Sequence, residues 1–394
     1  MSRLLANAPL RAGLLILPLA LFLGVFFIWP LWTMVMVSVH NDAIGDALPQ
    51  TSAVIGDWDG EGIPDPTVQA ALVADLRDTP SSVLGGAVRT LNSQVSGFRT
   101  LMSRTARAAR DVAPGDSLDL VEVDDRWGQP RFWRAIAVSV SPYTDRNVLA
   151  ALDLERNADG DIVASPEATS ANRLIIWRTF AIAGTITLLC ALIGLPYAML
   201  AASLTGWKRN LLLLAVLLPL WTSLLVRTAA WFILLQNEGL INGALMGIGL
   251  IDGPLPLIFN RLGVVIAMTH VLLPFMVLPI FSVVSAIPKN LMPAAASMGA
   301  TPFAAFRRIL LPLSLPGLLA GSLLVFMVAI GYYITPALIG GPNDQMISSI
   351  IAFYALQTAN WGMAGALGLI LLAITTILYL VYSRLSRGST PTGL

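Results

Sequence analysis

Six apolar stretches, near residues 12–38, 174–204, 211–235, 262–286, 314–338 and 363–383, restrict this chain more than any other feature. Each is long enough to cross a bilayer as a helix, which takes about 20 residues. Hydrophobic residues make up 56 % of the chain and charged residues only 12 %, against roughly 25 % charged in a soluble domain. The reading is an all-α polytopic membrane protein with six transmembrane helices. The first stretch follows Arg3 and Arg11, as a signal peptide would. Its apolar part is too long and no small-x-small cleavage site follows, so it reads as an anchor.

Charge divides the chain in two. Of 23 acidic residues, 20 lie between Asp42 and Glu167, and the others are Glu238, Asp252 and Asp344. The organisation expected is an N-terminal tail and first transmembrane helix (1–40), a mixed, mainly helical insert (41–172), a five-helix core (173–386) containing a loop at 286–313, and a tail (387–394). With the N-terminus inside, the inside segments hold Arg3, Arg11, Lys208, Arg209, Lys289, Arg307, Arg308, Arg384 and Arg387 and no acid. The opposite loops hold the three remaining acids and the acidic insert. This positive-inside pattern puts both termini in the cytoplasm and the insert outside, in the periplasm of a bacterial inner membrane.

The insert opens with a Gly-, Asp- and Pro-rich loop containing Asp57-Trp58-Asp59-Gly60. Its pattern predicts a helix over 67–78 and another over 88–110, where Leu91, Val95, Phe98, Leu101 and Met102 share one face. A Trp-bearing segment around Trp127 and Trp133 follows, then a helix over 148–154. At about 130 residues the insert is long enough to fold alone, and its charged residues read as a solvated face. The sole cysteine, Cys190, sits in a span, so no intrachain disulfide can form. His40 and His270 read as span-edge or packed residues, not ligands. Lys208 and Lys289 lack the glycine that a phosphate-binding loop needs. The chain is therefore read as no enzyme, holding no metal or cofactor and binding no nucleic acid.

Residues 285–317, SAIPKNLMPAAASMGATPFAAFRRILLPLSLPG, carry the sharpest local signal. An alanine-rich helix ends at Gly299, placed for the left-handed conformation that stops helices. Thr301 and Pro302 then start a second helix, hydroxyl at the N-cap and proline in the first turn, running up to Leu311-Pro312. Small side chains let a backbone lie close to a partner, and Arg307 and Arg308 add fixed charge beside them. An ordinary interfacial hairpin would share much of this pattern. The spacing Ala294-Ala295-x-x-x-Gly299, then Ile309 and Leu311-Pro312, resembles the EAA loop of ABC importer permeases. That resemblance implies a coupling helix docked on a separate ATPase, with Pro293, Ala294, Ala295, Gly299, Ala300, Phe303, Arg307, Ile309 and Pro312 at the coupling site. The family's glutamate falls on Pro293 here.

Further motifs resemble one branch. They are Trp221-Thr222-Ser223-Leu224-Leu225-Val226-Arg227-Thr228-Ala229-Ala230-Trp231, then Asn237-Glu238-Gly239, Leu272-Leu273-Pro274-Phe275-Met276, Tyr333 to Pro336 and Asn360-Trp361. Together they look like the PotB/PotH-type permeases of spermidine/putrescine importers, over residues 12–40 and 174–385. The resemblance implies a type I importer fold, ABC ATPase subunits that use ATP and Mg, a second permease subunit, a periplasmic solute-binding protein and surrounding membrane lipid. It implies a small organic cargo, first of all a polyamine. The alternatives are an opine, an amino-acid derivative or an organophosphonate.

Trp221, Arg227, Trp231, Asn237, Glu238, Tyr332, Tyr333 and Pro336 are candidates for the path or gate. Arg227 is the one charge well inside a span, where a charge is costly and faces protein or water. It could hold a gate, contact cargo, or pack against carbonyls and Glu238. Two other classes fit less well. A sensor would leave five spans unexplained, and a secondary transporter tends to carry intramembrane acids and inverted repeats.

Overall fold

The computed structural model describes residues 8–40, 43–113, 118–156, 161–166 and 170–387. Arg3 and the tail beyond Arg387 lie outside the described residues. The chain forms two compact units, Met1–Val148 and Leu149–Leu394.

In the first unit, α1 (Ala8–Leu23), a π-helical turn at Gly24–Ile28 and α2 (Trp29–Val39) make one apolar rod. Its residues Leu15–Val39 suffice to cross a membrane. Helices α3 (Ala43–Ala47), α4 (Pro49–Val54), α5 (Pro66–Asp78), α6 (Ser81–Gln94), α7 (Phe98–Asp111), α8 (Leu120–Val123) and α9 (Pro130–Ser139) follow. They enclose a core of their own around Phe98, Leu101, Met102, Trp127, Phe132 and Trp133. Burying such rings leaves two indole N–H groups to satisfy. Trp127 donates to Thr105 Oγ1 at 2.8 Å and Trp133 to the Trp127 carbonyl at 2.9 Å. The insert is fastened to the end of α2, since Thr144 N–H donates to the Val39 carbonyl at 2.7 Å and the Asn147 amide to that of Ser38 at 3.1 Å.

Two insert expectations need correction. The helix expected over 88–110 is two helices, because Val95 is extended and Gly97 takes φ +105°. The turn is held from both sides. Asn92 Oδ1 accepts from the N–H groups of Gly97 and Arg99, and the Arg126 guanidinium donates to the Gly97 carbonyl at 3.0 Å. Arg126 also forks onto the buried Asp124 carboxylate at 2.8 and 2.7 Å. That pairing holds the Asp124 carboxyl well below the usual carboxylate range. The helix expected over 148–154 is instead α10 (Arg146–Ala151), which runs across the unit boundary and stops before Asp153. Asp153 has φ 56°, and a two-stranded antiparallel hairpin follows: β1 (Leu154–Arg156) and β2 (Ile162–Ala164), with Leu154 opposite Ala164.

The second unit starts with α11 (Asn172–Ser203), whose first N–H groups have no partner in the helix itself. The buried Asp153 carboxylate accepts from Asn172 N–H at 2.9 Å and Arg173 N–H at 2.7 Å, capping it. Then come α12 (Gly206–Leu217), α13 (Leu224–Leu234), α14 (Leu240–Gly247), α15 (Arg261–Ala286), α16 (Leu291–Ser297), α17 (Pro302–Ala305), α18 (Leu311–Gly331), α19 (Ile334–Ile339), α20 (Ile347–Leu356) and α21 (Trp361–Arg387). Helices α11, α15 and α18 form the core. Gly317 and Gly321 set its spacing: a Cβ on Gly317 would lie 2.8 Å from the Pro279 carbonyl oxygen and 2.9 Å from Ile280 Cα. Gly317 and Gly321 thus serve packing within this chain.

The third apolar stretch is not a straight span. Helices α12 and α13 meet at a 101° bend across Leu218–Ser223, so the described residues hold five full spans, or six if the bent pair counts as one. Proline at 219 turns the chain into a 3₁₀ segment, and Ser223 Oγ caps the new helix by accepting Val226 N–H at 3.2 Å. The fifth span also ends earlier than 338. Tyr332 is extended and α19 begins afresh at Ile334.

Candidate coupling loop and translocation path

Between α15 and α18 the chain builds a tight elbow. Helix α16 ends with Met298 N–H bonded to the Ala294 carbonyl at 3.1 Å and Ala300 N–H to that of Ala295 at 3.0 Å. That wrap places Gly299 at φ +83°, a conformation costing a side-chain-bearing residue roughly 1–2 kcal/mol. Thr301 Oγ1 then accepts Ala304 N–H at 3.3 Å with Pro302 in the first turn, as expected. The second helix does not stop at Leu311-Pro312. A π-helical turn at Phe306–Leu310 joins α17 to α18, giving one rod over Pro302–Gly331. Proline lacks an N–H to donate and its ring crowds the preceding turn. A widened turn just before Pro312 is how a helix accommodates it.

Burial sorts the loop. Ala295 and Ala305 face inward, Ala300 and Ile309 are half-buried, and Pro293, Ala294, Gly299, Phe303, Arg307 and Pro312 are exposed. Met298 is 82 % exposed and Phe303 71 %, so the elbow presents two large apolar side chains beside Arg307 and Arg308. Met298 escaped the sequence reading. Its signal was a long apolar residue amid small ones, just before the turn glycine.

At the bend, α13 carries Arg227, Thr228 and Trp231. Thr228 Oγ1 lies 3.2 Å from Thr335 Oγ1 in a buried pair linking α13 to α19, next to the buried Pro336. Trp231 Nε1–H donates to His270 Nδ1 of α15 at 3.2 Å, the rings meeting edge-on at 5.4 Å. Arg227 lies within electrostatic range of the His270 ring and the Tyr332 hydroxyl. Its Nε is enclosed without a hydrogen-bond partner among the described residues. Arg227 and Glu238 form no ion pair among the described residues, so Glu238 does not neutralise it. His270 is exposed on its helix, not packed away.

The structure brings Trp231 against His270, a residue the sequence reading set aside, with Arg227 one helical turn before Trp231 on α13. Trp221, 76 % exposed, stands at the 3₁₀ elbow. Asn237 and Glu238 are exposed in the turn after α13, and Tyr333 supplies its carbonyl to Ser349 Oγ at 3.2 Å.

Residues 194–390 match the family described as "Binding-protein-dependent transport system inner membrane component". The match takes in the loop at 286–313 and Arg227 and leaves out the insert. The spermidine/putrescine transport system permease protein PotB of Haemophilus influenzae is 32 % identical over 213 residues, covering 54 % of this chain and 74 % of that protein. PotB of Escherichia coli K12 is 36 % identical over 201 residues, covering 51 % and 73 %. A chain of a solved bacterial alginate ABC transporter is 20 % identical with a TM-score of 0.48, covering 57 % of this chain and 81 % of that one. This chain is thus a multi-pass membrane protein belonging to the binding-protein-dependent transport system inner membrane component family, as a PotB-like ABC permease.

Proposed function

We propose that this chain is the membrane-spanning subunit of an importer for a small organic solute, coupled through residues 286–313 to a separate ATPase. The observation that carries the coupling reading is the elbow at Met298–Phe303. Two large apolar side chains stand exposed there, held by a left-handed glycine and a capped helix start. Exposed apolar groups rimmed by charge mark protein contacts. Because α17 runs without interruption into α18, a push on the elbow would be delivered along a spanning helix. ATP and Mg belong to the partner ATPase. A second permease subunit completes the path, and a soluble binding protein delivers cargo on the side of the insert. Both termini are cytoplasmic in this reading. Similarity to PotB puts polyamines first as cargo.

The test is co-purification from gently solubilised native membranes. The native chain retains an ABC ATPase, whereas Met298→Asp with Phe303→Asp loses it while keeping the native thermal unfolding profile. Retention of the ATPase by the double variant would refute the coupling assignment. No ATPase with either protein, while a control importer stays intact, would refute the importer reading.

A further inference from the structure

The first span is tied to the insert at its last turn. The Val39 carbonyl accepts Thr144 N–H at 2.7 Å, that of Ser38 accepts from the Asn147 amide at 3.1 Å, and His40 pairs with Tyr143 in an antiparallel bridge. Ser141 Oγ donates to the Tyr143 carbonyl at 2.9 Å, closing a turn over 141–143. Tyr143 is thus held one residue past the apolar rod Leu15–Val39, about 3.3 Å of extended chain. The polar zone of a bilayer leaflet is about 5–8 Å deep beyond the hydrocarbon, so the bridge places Tyr143 within it.

The side chains exposed there suit such a zone. Tyr143 is 67 % exposed, although its ring meets that of His40 edge-on at 5.3 Å. Tyrosine joins an apolar ring to a polar hydroxyl, and such rings collect at membrane–water boundaries. Pro142 beside it is exposed as well. Val138, in the last turn of α9, is 74 % exposed. The other exposed residues of α9 are Arg131 and Arg134, at helical spacing from Val138 and so on its face. That face carries no acid. Single exposed apolar residues are ordinary, but their gathering into a patch marks a contact, and this one adjoins the end of a membrane span.

We propose that the turn at 141–143 and Val138 form a lipid-contact surface, through which the insert rests in the phospholipid headgroup zone beside the first span. The occupant is the bilayer because the surface continues that of the rod, whose Trp29, Trp32 and Val37 are themselves exposed. Arg131 and Arg134 supply the charge that pairs with phosphate groups. The insert, which lies outside the matched family region, thereby gains a hold on the membrane besides its chain connection. The inference uses neither the cargo nor the ATPase.

The test uses the full-length chain carrying Cys190→Ala, in nanodiscs of phosphatidylcholine and phosphatidylglycerol. Nitroxide labels are placed singly through Pro142→Cys and Val138→Cys. Val37→Cys, exposed on the span, is the lipid reference, and Arg107→Cys, exposed on α7, is the water reference. Collision with oxygen, which concentrates in lipid, is compared with collision with a nickel chelate, which stays in water. The labels at 142 and 138 give ratios between the two references, at a depth within about 5–8 Å of the hydrocarbon edge. Tyr143→Asp, added to the Pro142→Cys chain, moves its ratio toward that of the water reference, and Tyr143→Trp leaves it in place.

Three results overturn the proposal. One is a ratio at 142 or 138 equal to that of the water reference. Another is shielding of either label from both reagents, which would mean that protein covers the surface. The third is a ratio at 142 that Tyr143→Asp leaves unchanged. Each labelled chain is required to keep the near-ultraviolet circular dichroism of the unaltered one, so that a misfolded insert is not read as a lifted one.

Discussion

Replacing Gly317 by alanine tests whether close approach of α15 and α18 sets the stability of the membrane core. The new Cβ would stand 2.8 Å from the Pro279 carbonyl oxygen, 2.9 Å from Ile280 Cα and 3.0 Å from Val283 Cβ. Comfortable carbon contacts lie near 3.5–4.0 Å, and two of these three neighbours are backbone, which cannot rotate aside. The helices must separate by roughly 0.5–1 Å, which forfeits a quarter to a half of each dispersion contact along the seam. Overpacking of this kind costs about 1–3 kcal/mol. At about 2–4 °C per kcal/mol for a domain of this size, the unfolding midpoint falls by about 2–12 °C.

Cys190 is the natural reporter. It is the sole cysteine, fully buried in α11, with Sγ 3.5 Å from the Thr269 carbonyl oxygen of α15. A thiol-reactive dye therefore labels it only as this helix core opens. Gly243→Ala in α14 is the control, because nothing lies within 4 Å of its Cβ position. Equal labelling temperatures for Gly317→Ala, Gly243→Ala and the unaltered chain would refute the argument, showing that the two helices are not held at contact distance by glycine.

Other outcomes follow from single contacts. Asp153→Ala removes the carboxylate that caps α11 and lowers stability by about 1–2 kcal/mol, read by the same Cys190 labelling. Asp124→Ala removes the buried carboxylate that Arg126 binds through two oxygens, leaves the guanidinium partly exposed and still bonded to the Gly97 carbonyl, and destabilises the insert by about 1.5–3 kcal/mol, read by near-ultraviolet circular dichroism. Because Arg126 depresses the folded-state pKa of Asp124, the pair's contribution is complete above the ordinary carboxylate pKa, about 3.9. It is lost as pH falls from there toward the lower folded value, and an acid titration of the unaltered chain against Asp124→Asn reads the difference. Ala359 has φ 52°, so Ala359→Gly stabilises the turn before α21 by about 1 kcal/mol, raising the labelling midpoint by a few degrees.

The loop at 286–313 was largely legible beforehand because its determinants are local. Gly299 at a helix end and Thr301-Pro302 at a helix start are conformational preferences of the residues themselves. Both occur where expected. What failed there was the end of the second helix, since a proline inside an apolar run reads as a stop unless a π-turn absorbs it. The insert repeated the lesson at Gly97. An amphipathic pattern runs on through Val95–Gly97, and the break is held by Asn92 together with Arg126, which lies 29 residues further along the chain.

Sequence by itself determined the class: the length and apolar character of the runs and the segregation of acids into one stretch of the chain. These follow from solvation, which each segment meets alone. Tertiary structure decided three other matters, all of them distances between residues remote in sequence. It bent the third stretch by 101°, assigned the Gly317–Gly321 stripe to α15 of the same chain, and set His270 against Trp231 beside Arg227. No period or propensity in a single sequence encodes which helix a polar side chain will meet, because that is fixed by the packing of the others.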